Sequence, residues 1–192
     1  IYVYSFPKNM SGFCRLKIKG KRGTKISLSY GELLKSDGRL EQGNVNVYYH
    51  PVKPYEKFQT DTYILKGEGV EVFQPSFTYH GFQYVEVEAS EKVDLDKSSL
   101  TALFLHTDLQ PVGKFECSSP LLNKIWDATM QTYLSNIHSI PTDCPQREKN
   151  GWTADAHIAI DLALLGFDGI TFYEKWMNDV LDNQHPDGDF SG

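Results

Sequence analysis

Cysteine is scarce in this chain, with only Cys14, Cys117 and Cys144. An odd number at unrelated spacings, without a Cys-x-x-Cys pair, excludes a disulfide framework and the common zinc and redox motifs. All three are expected to be free thiols. Positive charge is also in short supply. Lys and Arg number 19 against 25 Asp and Glu, for a net charge of -6. The basic stripe expected of a nucleic-acid binder is therefore missing, and the mildly basic residues 17–25 read as a solvated hairpin. No apolar run approaches the roughly 18 residues of a membrane-spanning helix. His138, His157 and His185 fit no compact zinc spacing. Asp187-Gly-Asp189 lacks the other ligands and the closing Glu of a calcium loop, and reads as a polar turn. Neither a metal nor a cofactor is expected. An initiator Met and a basic-then-apolar leader are both absent, so the chain is expected to be a segment of a longer protein.

What remains is ordinary globular material, 40% hydrophobic and 23% charged. Its pattern changes once. Up to about residue 108 the period is two. Residues 13–19 alternate, with Cys14, Leu16 and Ile18 opposite Phe13, Arg15 and Lys17. The Gly20-Lys-Arg-Gly23 turn and residues 25–30 follow, predicting a hairpin. Further strands are expected over 62–66, 70–73, 82–88 and 100–106. In 82–88, Tyr84, Glu86 and Glu88 form the wet face and Val85 and Val87 the dry one. Short strands without intervening helices point to an antiparallel sandwich. The polar stretch 33–57, with Pro51 and Pro54, is expected to be a long loop. Tyr48, Tyr49, Tyr55 and Phe58 in and beside it could serve as a sugar platform, although packing explains them as well.

From Pro120 the period becomes helical. Ser119 and Pro120 form an N-cap and first-position proline. Leu121, Leu122, Ile125, Trp126, Met130, Tyr133, Leu134 and Ile137 recur at helical spacing up to about Ser139. Residues 154–165 are apolar almost all round, which predicts a helix buried on most sides, with His157 in a core or pocket. Gly166 ends it. Asp168 is expected to cap a third helix, striped by Ile170, Tyr173, Trp176, Met177, Val180 and Leu181. The expected organisation is a β-sandwich over residues 1–110 and the opening of an α-helical domain over 111–192.

Between the first two helices lies the stretch 141–155, Pro-Thr-Asp-Cys-Pro-Gln-Arg-Glu-Lys-Asn-Gly-Trp-Thr-Ala-Asp. Two prolines and an Asn-Gly pair make much of it loop. It holds three carboxylates, Asp143, Glu148 and Asp155, with Arg147 and Trp152 between them. Glycoside hydrolysis needs a protonated carboxyl at the leaving oxygen and a second carboxylate across the sugar. Further carboxylates and Arg clamp hydroxyls, and an aromatic face covers C–H surface. Each residue also has a structural use. Asp143 can cap the following turn, Asp155 can serve the dipole of the helix it opens, and Glu148 can pair with Arg147 or Lys149. Cys144, between Asp and Pro, lacks the neighbours that activate a thiol.

The segment 142–155 resembles the signature of bacterial α-L-rhamnosidases, glycoside hydrolase family 78. The resemblance runs along the chain. Tyr-Gly-Glu-Leu-Leu at 30–34, Asp-Thr-Tyr-Ile-Leu-Lys-Gly at 61–67, Phe-Thr-Tyr-His-Gly-Phe-Gln-Tyr-Val-Glu-Val at 77–87 and Gly-Lys-Phe-Glu-Cys-Ser at 113–118 resemble that family's β domain. Leu-Leu-Asn-Lys-Ile at 121–125 resembles the first helix of its catalytic domain. The resemblance implies a β-sandwich followed by the first helices of an (α/α)6 barrel. It implies removal of terminal α-L-rhamnose with inversion, and Glu148 as general acid. Asp143, Arg147 and Asp155 would bind the sugar hydroxyls, with Trp152 packing or touching the sugar. The general base would be a Glu further along the barrel, outside this chain. The partners implied are a rhamnose-containing glycoside and the remainder of the same polypeptide. Ala154 stands where many members have Gly. Some members carry one more residue between the first Asp and the Glu, and residues 4–10 depart from the family pattern. A second class stays open on the residues alone, a non-catalytic carbohydrate-binding or structural β module with a degenerate helical part.

Overall fold

A computed structural model describes residues 1–46 and 57–190. The chain forms two compact units. The first comprises Ile1–Leu105 with Pro145–Arg147, and the second His106–Cys144 with Glu148–Gly192.

The first unit is an antiparallel β structure. Its strands are β1 (Tyr2–Lys19), β2 (Lys25–Gly31), β3 (Leu33–Leu34), β4 (Leu40–Glu41), β5 (Thr60–Ile64), β6 (Val70–Phe73), β7 (His80–Ala89) and β8 (Leu100–Phe104). The main sheet runs β5-β2-β7-β1-β6, with β8 also paired to β1. The hairpin expected of β1 and β2 is not formed. Strand β7 lies between them, pairing Val85 with both Tyr4 and Tyr30. A short glycine-containing turn can join neighbouring strands, but it cannot stop a third strand from taking the central place. β1 is longer than its clean alternation suggests. It changes register between Ser5 and Met10 and passes from β7 to β8 at Gly12. Gly12 has φ 152°, and a Cβ there would lie 1.9 Å from the Leu103 carbonyl oxygen. Only glycine permits that approach.

The alternation itself is as read. Cys14, Leu16 and Ile18 are buried and Arg15, Lys17 and Lys19 are exposed. They join Ile26, Leu28, Tyr30, Leu65, Val85 and Val87 in one core. The second face of β7 departs from expectation, because Glu86 is buried. The stretch expected to be loop explains it. Residues 33–46 form the β3–β4 ladder and the short helix α1 (Gly43–Asn46), and bury Leu40 and Val45. Arg39 donates from Nε (2.6 Å) and Nη2 (2.8 Å) to the Glu86 carboxylate, and the Leu40 N–H donates to it at 3.1 Å. Tyr48, Tyr49 and Tyr55 lie outside the described residues. Phe58 is partly buried.

The second unit holds α2 (Pro120–Leu134), α3 (Thr153–Gly166) and α4 (Ile170–Asp182). α2 stops earlier than its apolar stripe. The chain leaves the helix at Ser135, and Ile137 bridges Pro141. Ser119 is the N-cap residue, but its hydroxyl makes no capping bond. Asn123 instead reaches back, accepting the Cys117 N–H and donating to the Cys117 carbonyl, both at 2.9 Å. Gly169, not Asp168, sits at the N-cap of α4. Leu109, Tyr133, Ile137, Ala156, Ala163, Phe167, Phe172, Tyr173 and Trp176 form this unit's core. α3 keeps much of its apolar surface uncovered, as expected of a helix this apolar with only two helical neighbours among the described residues. Ile158 is 80% exposed and Leu165 68% exposed, and His157 is exposed too.

Candidate active site

The loop from Pro141 to Trp152 is tied down at both ends. Thr142 donates its backbone N–H (2.7 Å) and its hydroxyl (3.1 Å) to the Asn136 carbonyl, just past α2. At the other end Trp152 is the N-cap residue of α3, and its carbonyl accepts the Ala156 N–H. Between these anchors the chain doubles back. Lys149 takes φ 57°, a left-handed conformation that costs energy and needs surrounding support. That support is a ring closed by Asp143 and Asn150. The Asp143 N–H donates to the Asn150 carbonyl at 3.0 Å, and the Asn150 N–H donates to Asp143 Oδ1 at 2.9 Å. The Cys144 thiol donates to Asp143 Oδ2 at 3.1 Å, and its sulfur lies 3.5 Å from the Glu148 backbone nitrogen. Asp143 therefore braces the loop while keeping lone pairs on both oxygens.

Asp143 and Asp155 come together. They line one cleft of about 440 Å³ with Ile125, Thr132, Asn136 and Thr142. Asp155 stands in the first turn of α3, exposed, where the helix dipole favours its negative charge. Glu148 does not line this cleft. Its carboxylate is exposed, and Oε2 accepts the indole N–H of Trp152 at 2.9 Å. The backbone of Arg147 belongs to a different cluster. With Pro145 and Gln146 it clusters with the β unit, where a Cβ on Gly81 would come within 2.9 Å of both the Gln146 nitrogen and Pro145 Cγ. The five residues singled out in the sequence are thus a cleft pair, a hydrogen-bonded pair and one residue grouped separately. Sequence reasoning missed Asn150 and Cys144 as braces of Asp143. The Asn-Gly dipeptide marked the turn, but its backbone partner is a property of the folded loop.

The remaining candidates stay outside this picture. All three cysteines are free. Among the described residues no group of three or more His, Cys, Asp or Glu could hold a metal ion, and no helix is long and apolar enough to cross a membrane. Asp187 and Asp189 form a turn in which the Asp189 N–H meets Asp187 Oδ1 at 3.2 Å.

Comparison with known families separates two matched segments. Residues 1–106 match the bacterial α-L-rhamnosidase concanavalin-like domain, and residues 110–192 match the bacterial α-L-rhamnosidase six-hairpin glycosidase domain. The chain belongs to the bacterial α-L-rhamnosidase family. Its β unit followed by helices agrees with that pair of domains. Among relatives in this family, an α-L-rhamnosidase of Formosa agariphila is 36% identical over 187 residues, 96% of this chain and 19% of that protein. One of Streptomyces avermitilis is 34% identical over 192 residues, 100% of this chain and 18% of that protein. Among solved structures, the α-L-rhamnosidase from Dictyoglumus thermophilum superposes with TM-score 0.87 at 38% identity, covering 99% of this chain and 21% of that one. The Streptomyces avermitilis α-L-rhamnosidase complexed with L-rhamnose superposes with TM-score 0.84 at 34% identity, covering 98% and 18%. The chain therefore spans about a fifth of the length of the curated rhamnosidases it matches.

Proposed function

We propose that the whole protein is an α-L-rhamnosidase that removes terminal non-reducing α-L-rhamnose from rhamnosides with inversion of configuration. In this reading residues 1–110 are its β domain and residues 111–192 open its catalytic domain. Glu148 is the general acid, donating a proton to the glycosidic oxygen. Asp143, Arg147 and Asp155 hold the sugar hydroxyls, and Trp152 contributes to the same pocket. The general base is a carboxylate outside these 192 residues, on the far side of the sugar by roughly 6.5–9.5 Å, the gap that leaves room for a water. The isolated chain is accordingly expected not to turn over substrate.

The observation that carries this reading is the placement of Asp143 and Asp155 on one cleft, with Glu148 presented by the loop between them. Acceptors that converge from a braced loop and a helix N-terminus suit the hydroxyls of a sugar. An exposed carboxyl on that loop suits a donor to the bond being cleaved. The test is hydrolysis, by the whole protein, of an alkyl α-L-rhamnoside, whose leaving group needs a proton. Glu148→Gln is expected to cut kcat by about 10² or more, the usual contribution of a positioned acid, while L-rhamnose still binds. Wild-type kcat in that variant would refute the acid assignment. Proton NMR during turnover should show the β anomer of rhamnose first, and α anomer first would refute inversion. Rhamnose binding by the whole protein without any hydrolysis would favour the carbohydrate-binding module instead.

A further inference from the structure

The hydrogen bond from Trp152 Nε1 to Glu148 Oε2, at 2.9 Å, joins an aromatic residue to a carboxyl group on a loop. Glu148 is exposed, so packing does not select its rotamer. A free glutamate there would sample several side-chain conformers, and only some would face a bound glycoside. Trp152 is differently placed. It is the N-cap residue of α3, with its carbonyl committed to the first helical turn. Its indole has two side-chain torsions and a rigid ring, so holding its N–H against Glu148 costs less side-chain entropy than a longer, flexible donor would. The left-handed Lys149 turns the chain so that residues 148 and 152 meet without an intervening helix.

We infer that Trp152 is a positioning residue for the Glu148 carboxyl, acting through its indole N–H. The inference rests on Glu148 being the general acid. An indole N–H only donates, so the oxygen it contacts must accept. A carbonyl oxygen accepts better than an acid hydroxyl, so in the protonated acid the bond to the indole favours the hydrogen on Oε1, with Oε2 bonded to the indole. One oxygen is held and the other is left to deliver the proton to the glycosidic oxygen as the bond to the sugar carbon breaks. The same N–H remains bonded to the carboxylate that results, so the group need not reorient between the two states. This use of Trp152 is separate from any contact its ring face makes with sugar.

The experiment uses the whole protein and two substrates that differ in their need for a proton. p-Nitrophenolate leaves readily without protonation, whereas an alkoxide does not. Trp152→Phe keeps an aromatic ring and removes the N–H. It is expected to lower kcat on an alkyl α-L-rhamnoside by about 10- to 100-fold, within the range of a misplaced acid. On p-nitrophenyl α-L-rhamnoside the loss should be smaller than that by about 5-fold or more on the same reasoning. Equal losses on both substrates, or a change confined to KM, would make Trp152 a packing or sugar-contact residue and overturn the inference. Replacing Trp152 with benzothienylalanine, which keeps the bicyclic shape and lacks the N–H, should reproduce the leaving-group dependence. Wild-type kcat on the alkyl rhamnoside in that variant would overturn it too. Glu148→Gln is measured in parallel. If its loss is leaving-group dependent and that of Trp152→Phe is not, only the role of Trp152 fails. If neither is leaving-group dependent, the acid assignment fails first.

Discussion

Tyr30 does what a phenylalanine in its place could not. Its hydroxyl is fully buried, donates to Asp61 Oδ2 at 2.9 Å and accepts the Cys14 N–H at 3.3 Å. Asp61 Oδ1 lies 3.1 Å from His80 Nε2, and the Tyr30 and His80 rings stack at 4.1 Å. Burial pushes the Tyr30 phenol well above its ordinary range, so it stays a neutral donor throughout the accessible pH range. Burial raises the Cys14 thiol in the same way and keeps it unreactive. A buried polar group is costly only when a partner is taken away. Tyr30→Phe removes the donor to Asp61 and the acceptor for Cys14 at no gain in packing. It should destabilise the β unit by about 1–3 kcal/mol, read as a lower urea midpoint at unchanged slope. An unchanged midpoint would mean that the network contributes nothing. At this scale the sequence was poorly informative. Residues 30, 61 and 80 are separated by 31 and 19 positions, and no periodicity links them.

The Glu86 carboxylate is one tie between the β3–β4 element and β7, beside the bond from Arg39 Nη2 to Glu88 Oε1 at 3.1 Å. The two Arg39 donors, with the Leu40 N–H, keep Glu86 below the usual carboxylate range despite the opposing effect of burial. Its folded value thus lies below its unfolded value of about 4.3. The sign follows from linkage. This stabilisation is complete above the unfolded value and is lost as pH falls through the folded one. Glu86→Gln is expected to cost about 1–3 kcal/mol at neutral pH. The difference between variant and wild type should shrink as pH drops below about 4. Urea titrations at several pH values read both effects, and a pH-independent difference would show that the charge of Glu86 is not what matters. The elements also mark where local pattern stops being sufficient. Strands β1 and β2 were legible from alternation, but their partner was not. Their side chains reveal which face is buried, whereas the central place of β7 depends on packing across residues 26–89. The same limit applies to Glu86, which sits on the face that alternation assigned to water. It is dry because residues 33–46 fold over it.

Across the molecule, the period change near Pro120 separates two kinds of core. The helical unit keeps substantial apolar surface exposed, including Leu121 at 66%, Ile158 at 80%, Leu165 at 68% and Ile170 at 61%. Apolar surface on this scale is unusual for a stable monomer surface. The 192-residue chain on its own should therefore bind a hydrophobic dye such as ANS. Ile158→Lys combined with Leu165→Lys should lower the dye fluorescence by about half or more without loss of helical circular dichroism. Undiminished fluorescence would place the dye elsewhere. The amino-acid sequence by itself determined the order of β and α parts, the free cysteines, the faces of β1, the loop that carries Asp143 and Glu148, and the helix that opens with Asp155. These are local properties, encoded in side-chain period, turn residues and composition. Only the tertiary structure decided that β7 divides β1 from β2 and that residues 33–46 seal Glu86. It alone placed Asp143 and Asp155 on one cleft and gave Glu148 to Trp152. Those outcomes depend on which surfaces meet, and burial and hydrogen bonding between distant residues choose among partners that the local pattern leaves equivalent.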